Sequence, residues 1–214
     1  MSRSGLAWPP EDPAALAGFP RTRRLPDVLH RLSEHPAAWW FAARSNEGGG
    51  RFDLPAPEGT CYLADDLDTA LGEKLLRRPK KIVPAQRLRE LFHARIAVIR
   101  PPALADLTSR KATGWGINAE IHVSLDHAKP RAWAHRLRAI GARGLRYASR
   151  SDPALAGRAV ALFGAAGLHT RAPAGMRTRV SSLDEGEARR LLEARDVLVV
   201  PIPFDVPTIA PPRP

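Results

Sequence analysis

Four side chains, Arg31, Arg51, Tyr62 and Glu73, have types that together suit cleavage of a nucleotide glycoside. Guanidinium groups are forked donors for phosphate or carboxylate, a tyrosine ring is a flat face, and Glu73 is the one carboxylate of the set. On spacing alone each also has a plainer reading. Glu73 is then an exposed helical glutamate pairing with Arg77 four residues on, Tyr62 a core residue of a strand, and Arg51 a loop charge after glycines. Other chemistries lack their residues. Gly48-Gly49-Gly50 runs into Arg51-Phe52, not into the Lys and Ser/Thr of a phosphate-binding loop, and no GxGxxG follows a strand. His122 and His127 are five apart and have no cysteine pair beside them, so no metal site is expected. Cys61 reads as a small buried residue. No helix–turn–helix or RNA-binding signature stands out.

The elements that must carry these residues are short and mixed. Asp27–Leu32 reads as a strand holding Arg31. The aromatic cluster Trp39-Trp40-Phe41 leads into a flexible loop over 45–50. Thr60–Ala64 follows the turn signal Pro57-Glu58-Gly59 and has β-type residues, placing Tyr62 on a strand. Asp66 is a natural N-cap for LDTALGEKLLRR, whose Leu67, Ala70, Leu71 and Leu75 form an apolar stripe, with Arg77-Arg78 at the negative end. Glu73 borders that stripe beside Thr69 and Leu76. Further along, Phe92–Arg100, Gly144–Ser149, Ala159–Phe163 and Val197–Val200 read as strands or apolar runs. Pro130–Ile140 and Ala188–Arg195 read as helices, the first closed by Gly141. Strands and helices interleave without a strict βαβ rhythm, which predicts an α+β (mixed α/β) fold, one twisted sheet with flanking helices. Residues 1–25 read as an irregular Pro/Arg-rich arm, 26–200 as the single domain, and 201–214 as an extended proline-rich tail.

Composition narrows the setting. Lys+Arg 33 against Asp+Glu 22 gives a net charge of +11, and 44% hydrophobic residues suffice for one sizeable core. A single cysteine excludes a disulfide scaffold. No window approaches ~18 uninterrupted apolar residues. The opening MSRSGLAWPPEDPAALAGFPRTRR puts Pro9, Pro10, Glu11, Asp12 and Pro13 where a signal peptide needs apolar residues. A reducing, cytoplasmic setting is expected. The excess of arginine suits a phosphate-bearing ligand or an acidic partner, and equally a solvated surface. A basic nucleic-acid-binding module is the rival from another class; the positive charge is spread over the chain, however, and no recognition helix gathers it.

The segment RFDLPAPEGTCYLADDLDTALGE, residues 51–73, closely resembles the central signature of the RES family, toxins of bacterial RES–Xre toxin–antitoxin pairs. The family pattern is an early Arg on a strand, Gly-Arg-Phe, Gly-Thr-x-Tyr-Leu-Ala, and a helix with Thr-Ala-x-x-Glu. Here these are Arg31 in LHRLS, Arg51 in GGRFD, Tyr62 in GTCYLA and Glu73 in DTALGE. The family serine falls in Gly-x-x-Tyr-x-Ser, which GLRYASR matches at Ser149, with Ser151 a near competitor. The resemblance runs from about Val28 to Phe163. Some members carry an aromatic directly after the first Arg, where this chain has Leu32.

The resemblance implies an ADP-ribosyltransferase-like fold and consumption of NAD⁺ as substrate, with no prosthetic group. Breaking the nicotinamide–ribose bond develops positive charge on the ribose, which Glu73 would stabilise. Nicotinamide is a flat cation suited to the Tyr62 face, and Arg31 and Arg51 suit the pyrophosphate. Ser149 would bond the amide or a ribose hydroxyl. The acceptor of ADP-ribose is phosphate or water, or, for a protein ADP-ribosyltransferase, a protein side chain; a surplus fork such as Arg150 favours inorganic phosphate as co-substrate. The implied partner is an Xre-type antitoxin, with a homodimer within that complex one arrangement it allows. Neither a membrane nor direct nucleic-acid contact is expected, DNA being reached only through the antitoxin.

Overall fold

Capping and alternation decide where the elements begin and end. In the computed structural model, which describes residues 5–44, 49–76 and 81–201, the chain runs β1 (Arg21–Thr22), β2 (Val28–Ser33), β3 (Trp39–Phe41), β4 (Glu58–Ala64), α1 (Leu67–Leu75) and β5 (Ile82–Pro84). It continues through α2 (Ala85–Arg89), β6 (Phe92–Val98), β7 (Leu104–Asp106), α3 (Glu120–Val123), α4 (Ala128–Ala139) and β8 (Gly144–Ala148). Then come β9 (Arg158–Ala165), β10 (Gly167–His169), β11 (Met176–Ser182), α5 (Glu185–Glu193) and β12 (Leu198–Val200). Asp66 caps α1 as expected, its carboxylate accepting from the Thr69 amide at 2.6 Å, a contribution of ~1 kcal/mol. Arg77 and Arg78 lie outside the described residues, so the expected pairing of Glu73 with Arg77 does too. Helix α4 starts two residues before Pro130, which occupies its first turn, where a missing N–H costs nothing. It ends at Gly141, whose φ of 81° is the left-handed conformation glycine adopts without strain.

Eight strands form one curled sheet in the order β1-β7-β8-β9-β4-β2-β6-β11. Its ladders are antiparallel except β7–β8, which is parallel. The β4–β9 ladder runs unbroken from Glu58↔Ala165 to Ala64↔Ala159. By contrast β2 and β4 share a single pair, His30↔Ala64. The sheet therefore splays between these two strands, and the gap opens toward Arg31 on one side and Tyr62 on the other. This mixed α+β architecture, one sheet with helices around it, is the class expected from the sequence.

Three apolar clusters hold the sheet. On one side, Trp133 and Leu137 of α4 pack with Phe52, Leu145 and Tyr147. Leu6, Leu16 and Phe19 join them, so the proline-rich first 25 residues, though largely irregular in backbone, are anchored in the core. A second cluster gathers α1, α2, α5 and β12 through Leu71, Leu88, Leu192 and Val199. The third lies under β3 and includes Leu29, Ile96, Cys61 and Val160. All but Pro201 of the expected proline-rich tail lies outside the described residues. No helix among the described residues is long and apolar enough to cross a membrane.

Candidate active site

The splay between β2 and β4 is the mouth of a cavity of about 550 Å³, within the usual size for small-molecule sites. Arg31, Arg51, Tyr62 and Glu73 all line it, so residues spread over 43 positions of sequence meet in one place. Alternation along β4 turns Thr60, Tyr62 and Ala64 toward the cavity and sends Cys61 into the core beneath β3. Helix α1 lies across β2 and β4 and brings Glu73 to the same space.

Glu73 is met by a serine. Ser149, fully buried just past the end of β8, donates its hydroxyl to Glu73 Oε1 at 2.5 Å. The Ser149 oxygen in turn accepts from the Ser151 amide at 3.2 Å, and the two hydroxyl oxygens lie 2.7 Å apart. Because a hydroxyl has one proton and Ser149 gives its own to the carboxylate, Ser151 is the donor between the serines. The structure thus separates the two candidates: Ser149 touches Glu73, and Ser151 supports Ser149.

The arginines are positioned by different means. Arg51 is buried, Nη1 donating to the His122 carbonyl, while Nε has no hydrogen-bond partner. Burial, and next the charge of Arg150, holds its pKa below the ordinary arginine value. Arg31 donates Nη1 to the Trp40 carbonyl at 3.3 Å and to Cys61 Sγ at 2.7 Å, so it bridges the splay; its Nε is likewise unpartnered. Burial raises the Cys61 thiol pKa against the pull of Arg31, which keeps the sulfur a protonated core group. Two guanidinium groups on one cavity wall concentrate positive charge there, which suits an anionic ligand.

Tyr62 contributes more than a ring. Its hydroxyl donates to Asp53 Oδ1 at 2.7 Å and accepts from the Phe52 amide at 2.9 Å. Burial, with Asp53 next, pushes its pKa well above the usual range. Asp53 also accepts from the Gly50 amide at 2.5 Å, and Arg131 donates to the Gly50 carbonyl at 3.1 Å. A Cβ at Gly50 would sit 2.2 Å from the Tyr62 oxygen, so only glycine lets the loop close over the ring. Sequence reading found the ring and missed this network; Asp53 follows Arg51-Phe52 with nothing in its spacing to mark it as buried.

Residues that sequence reading did not select complete the wall: His30, Trp40, His127 and Tyr147. Arg150, singled out only as a surplus fork, also lines the cavity. The pKa of His127 is lowered, first by burial and then by Arg51, Arg131 and Arg150. The field in the cavity is therefore positive, with Glu73 as an anion set within it. Leu32, where some RES members carry an aromatic, packs into the cluster with α1 and offers the cavity no ring.

Comparison with known proteins bears on the family and the fold. The RES domain family model matches residues 24–183. The fold is similar to that of a chain in the crystal structure of the M. tuberculosis MbcT–MbcA toxin–antitoxin complex, with a TM-score of 0.54 and 17% identity. That likeness covers 77% of this chain and 88% of the other. No curated protein matches the sequence. The family match spans most of the chain and includes all five expected site residues; the chain belongs to the RES domain family.

Proposed function

We propose that this protein is an NAD⁺-consuming toxin that cleaves the nicotinamide–ribose bond and passes ADP-ribose to inorganic phosphate or water. The observation that carries the reading is the Glu73–Ser149 contact, with Glu73 on the wall of a cavity that Arg31, Arg51 and Arg150 also line. Loss of nicotinamide leaves an oxocarbenium-like ribose. A carboxylate held in one rotamer by Ser149 stabilises that charge without reorganising, the arrangement through which electrostatic catalysis acts. Arg31 and Arg51, both on the cavity wall, hold the pyrophosphate by forked contacts. The ring of Tyr62, fixed by Asp53 and Phe52, presents a flat face to nicotinamide. No prosthetic group is called for.

Arg150 follows Ser149 in the chain and lines the same cavity; as a fork beyond the two assigned to the pyrophosphate it would bind inorganic phosphate, which favours phosphorolysis over hydrolysis. RES membership, and the toxin–antitoxin complex to which the fold is similar, support an Xre-type antitoxin as the partner that keeps this activity in check. The test is to incubate purified protein with labelled NAD⁺ in phosphate-free buffer, titrate phosphate, and identify products by mass. Nicotinamide release with a phosphate-dependent rate and ADP-ribose-1″-phosphate as product is expected. Label appearing on protein instead would replace this reading with protein ADP-ribosylation. Intact NAD⁺ would overturn it.

A further inference from the structure

The sheet ends in a face whose charge the chain does not answer. β11 is the edge strand beyond β6. In register Arg179 faces Arg95 and Arg177 faces Ala97, and across β6 Arg95 faces His30 and Ala97 faces Val28. Two rows therefore cross three strands on one face, His30–Arg95–Arg179 and Val28–Ala97–Arg177. Arg95, Arg177 and Arg179 are exposed, and among the described residues they make no ion pair and no side-chain hydrogen bond. Around the small Val28 and Ala97 they enclose a groove of about 320 Å³.

Like charges directly opposite each other in an antiparallel pair are destabilising. The Arg95–Arg179 pair thus works against the fold unless something outside the described chain offsets it. A local rule broken in this way is expected at a functional site. The second observation is the strand edge itself. The outer side of β11, Met176–Ser182, has no strand partner among the described residues, and an unpaired edge is a template for another strand.

We propose that this face docks an extended acidic segment of a partner protein, which pairs with β11 as a ninth strand and sets its carboxylates against Arg177 and Arg179, with Arg95 behind them. Backbone pairing supplies affinity, and the alternating arginines select acidic side chains. A peptide is favoured over nucleic acid because it uses both features; a phosphate chain would use the arginines alone. The surface is separate from the catalytic proposal. His30 belongs to the cavity wall, and Arg179 lies two strand spacings beyond it, about 10 Å.

The test uses the full chain and a fluorescent heptapeptide alternating glutamate and valine, with a lysine–valine peptide and a short DNA duplex as controls. Saturable binding of the acidic peptide is expected, with slowed hydrogen exchange in β11. The double variant Arg177→Glu/Arg179→Glu should weaken it about tenfold or more, two exposed pairs being replaced by repulsion, and should gain the lysine–valine peptide. Both positions are exposed; should that variant not fold, Arg177→Gln/Arg179→Gln should show a smaller loss. Unchanged affinity in the folded variant, unprotected β11 amides, or binding of the duplex but not the peptide would overturn the proposal. None of these readouts depends on NAD⁺ turnover.

Discussion

At the scale of single residues, the site is a relay from Ser151 through Ser149 to Glu73, and each member has a distinct expected effect. Glu73→Gln keeps the shape and removes the charge, so nicotinamide release should fall by ~10²-fold or more while the melting temperature holds; near-normal turnover would exclude Glu73 from the chemistry. Ser149→Ala leaves the carboxylate charged but unheld, and should lower kcat by about tenfold with KM little changed, as for an interaction that matters in the transition state. Tyr62→Phe keeps the ring but removes one bond to Asp53 and leaves the Phe52 amide without the acceptor it has in the native fold. A buried donor left unmet costs about 1–3 kcal/mol, so thermal unfolding of this variant should come several degrees early, in contrast to Glu73→Gln. The residue types were legible from sequence because Arg, Tyr and Glu stand in a recognisable 23-residue block. The Ser149–Glu73 contact was not legible from spacing. It joins positions 76 apart in sequence, and only the family likeness connected them.

Elements bring that contact about by close packing of α1 on the loop after β8. A Cβ at Gly72 would lie 2.3 Å from Ser151 Oγ and 2.8 Å from its Cβ, and one at Gly157 would lie 2.9 Å from Thr69 Oγ1. The loop is shaped by Asp152, whose carboxylate accepts from the Ala154, Ala156 and Gly157 amides. It is tied to α1 by Arg195, just past α5, which forks onto both Asp68 oxygens at 2.7 Å and donates to the Ser151 carbonyl at 3.0 Å. Arg195 lies beyond the stretch that matches the family. It is a positioning residue: Arg195→Ala should reduce kcat more than it raises KM, and Arg195→Lys, which keeps charge without the fork, should restore only part. Gly72→Ala should have the larger effect, pushing the loop off α1 and cutting turnover by about tenfold or more; wild-type rates in Gly72→Ala would show that this packing does not position Ser149. Capped or strongly apolar elements such as α1, β4 and β6 were readable. β11 was not, because MRTRVSS alternates with charge instead of apolar residues on its open face, and its partners on β6 lie 78 to 90 positions away. The two-residue β1 and three-residue β7 were too short to leave a periodic signal.

For the whole molecule, an arginine-rich chain of net charge +11 folds around histidines that must stay neutral, and this sets its response to pH. His30 and His93 stack with ring centroids 5.1 Å apart and nitrogens 2.9 Å apart, which requires that the pair share one proton between those atoms. Burial, then His30 and Arg95, brings His93 down to about 4. Burial and then Arg51 bring His122 to about 4 as well, where its Nδ1 accepts from the Ala148 amide at 3.4 Å. His30 and His127 are lowered in the same direction by burial and neighbouring arginines. In the unfolded chain these groups titrate near 6.5. As pH falls from about 6.5 toward 4 the unfolded state therefore takes up protons that the native state refuses, and stability drops with pH across that window. The carboxylates with depressed values, Glu34 and Asp152, lose stabilisation in the same direction at the acid end of this window and below it, since their ordinary values lie near 4. Thermal unfolding at constant ionic strength should accordingly show a melting temperature at pH 5 lower than at pH 7 by about 5 °C or more, several titrating groups each being amplified by the few degrees per kcal/mol of a chain this size. Replacing His93 with Gln, which cannot charge, should flatten that slope without abolishing it, because His122 remains. A melting temperature constant from pH 7 to pH 5 would mean that the histidines accept protons in the folded state, and that the positive field assigned to the cavity and to Arg95 does not reach them.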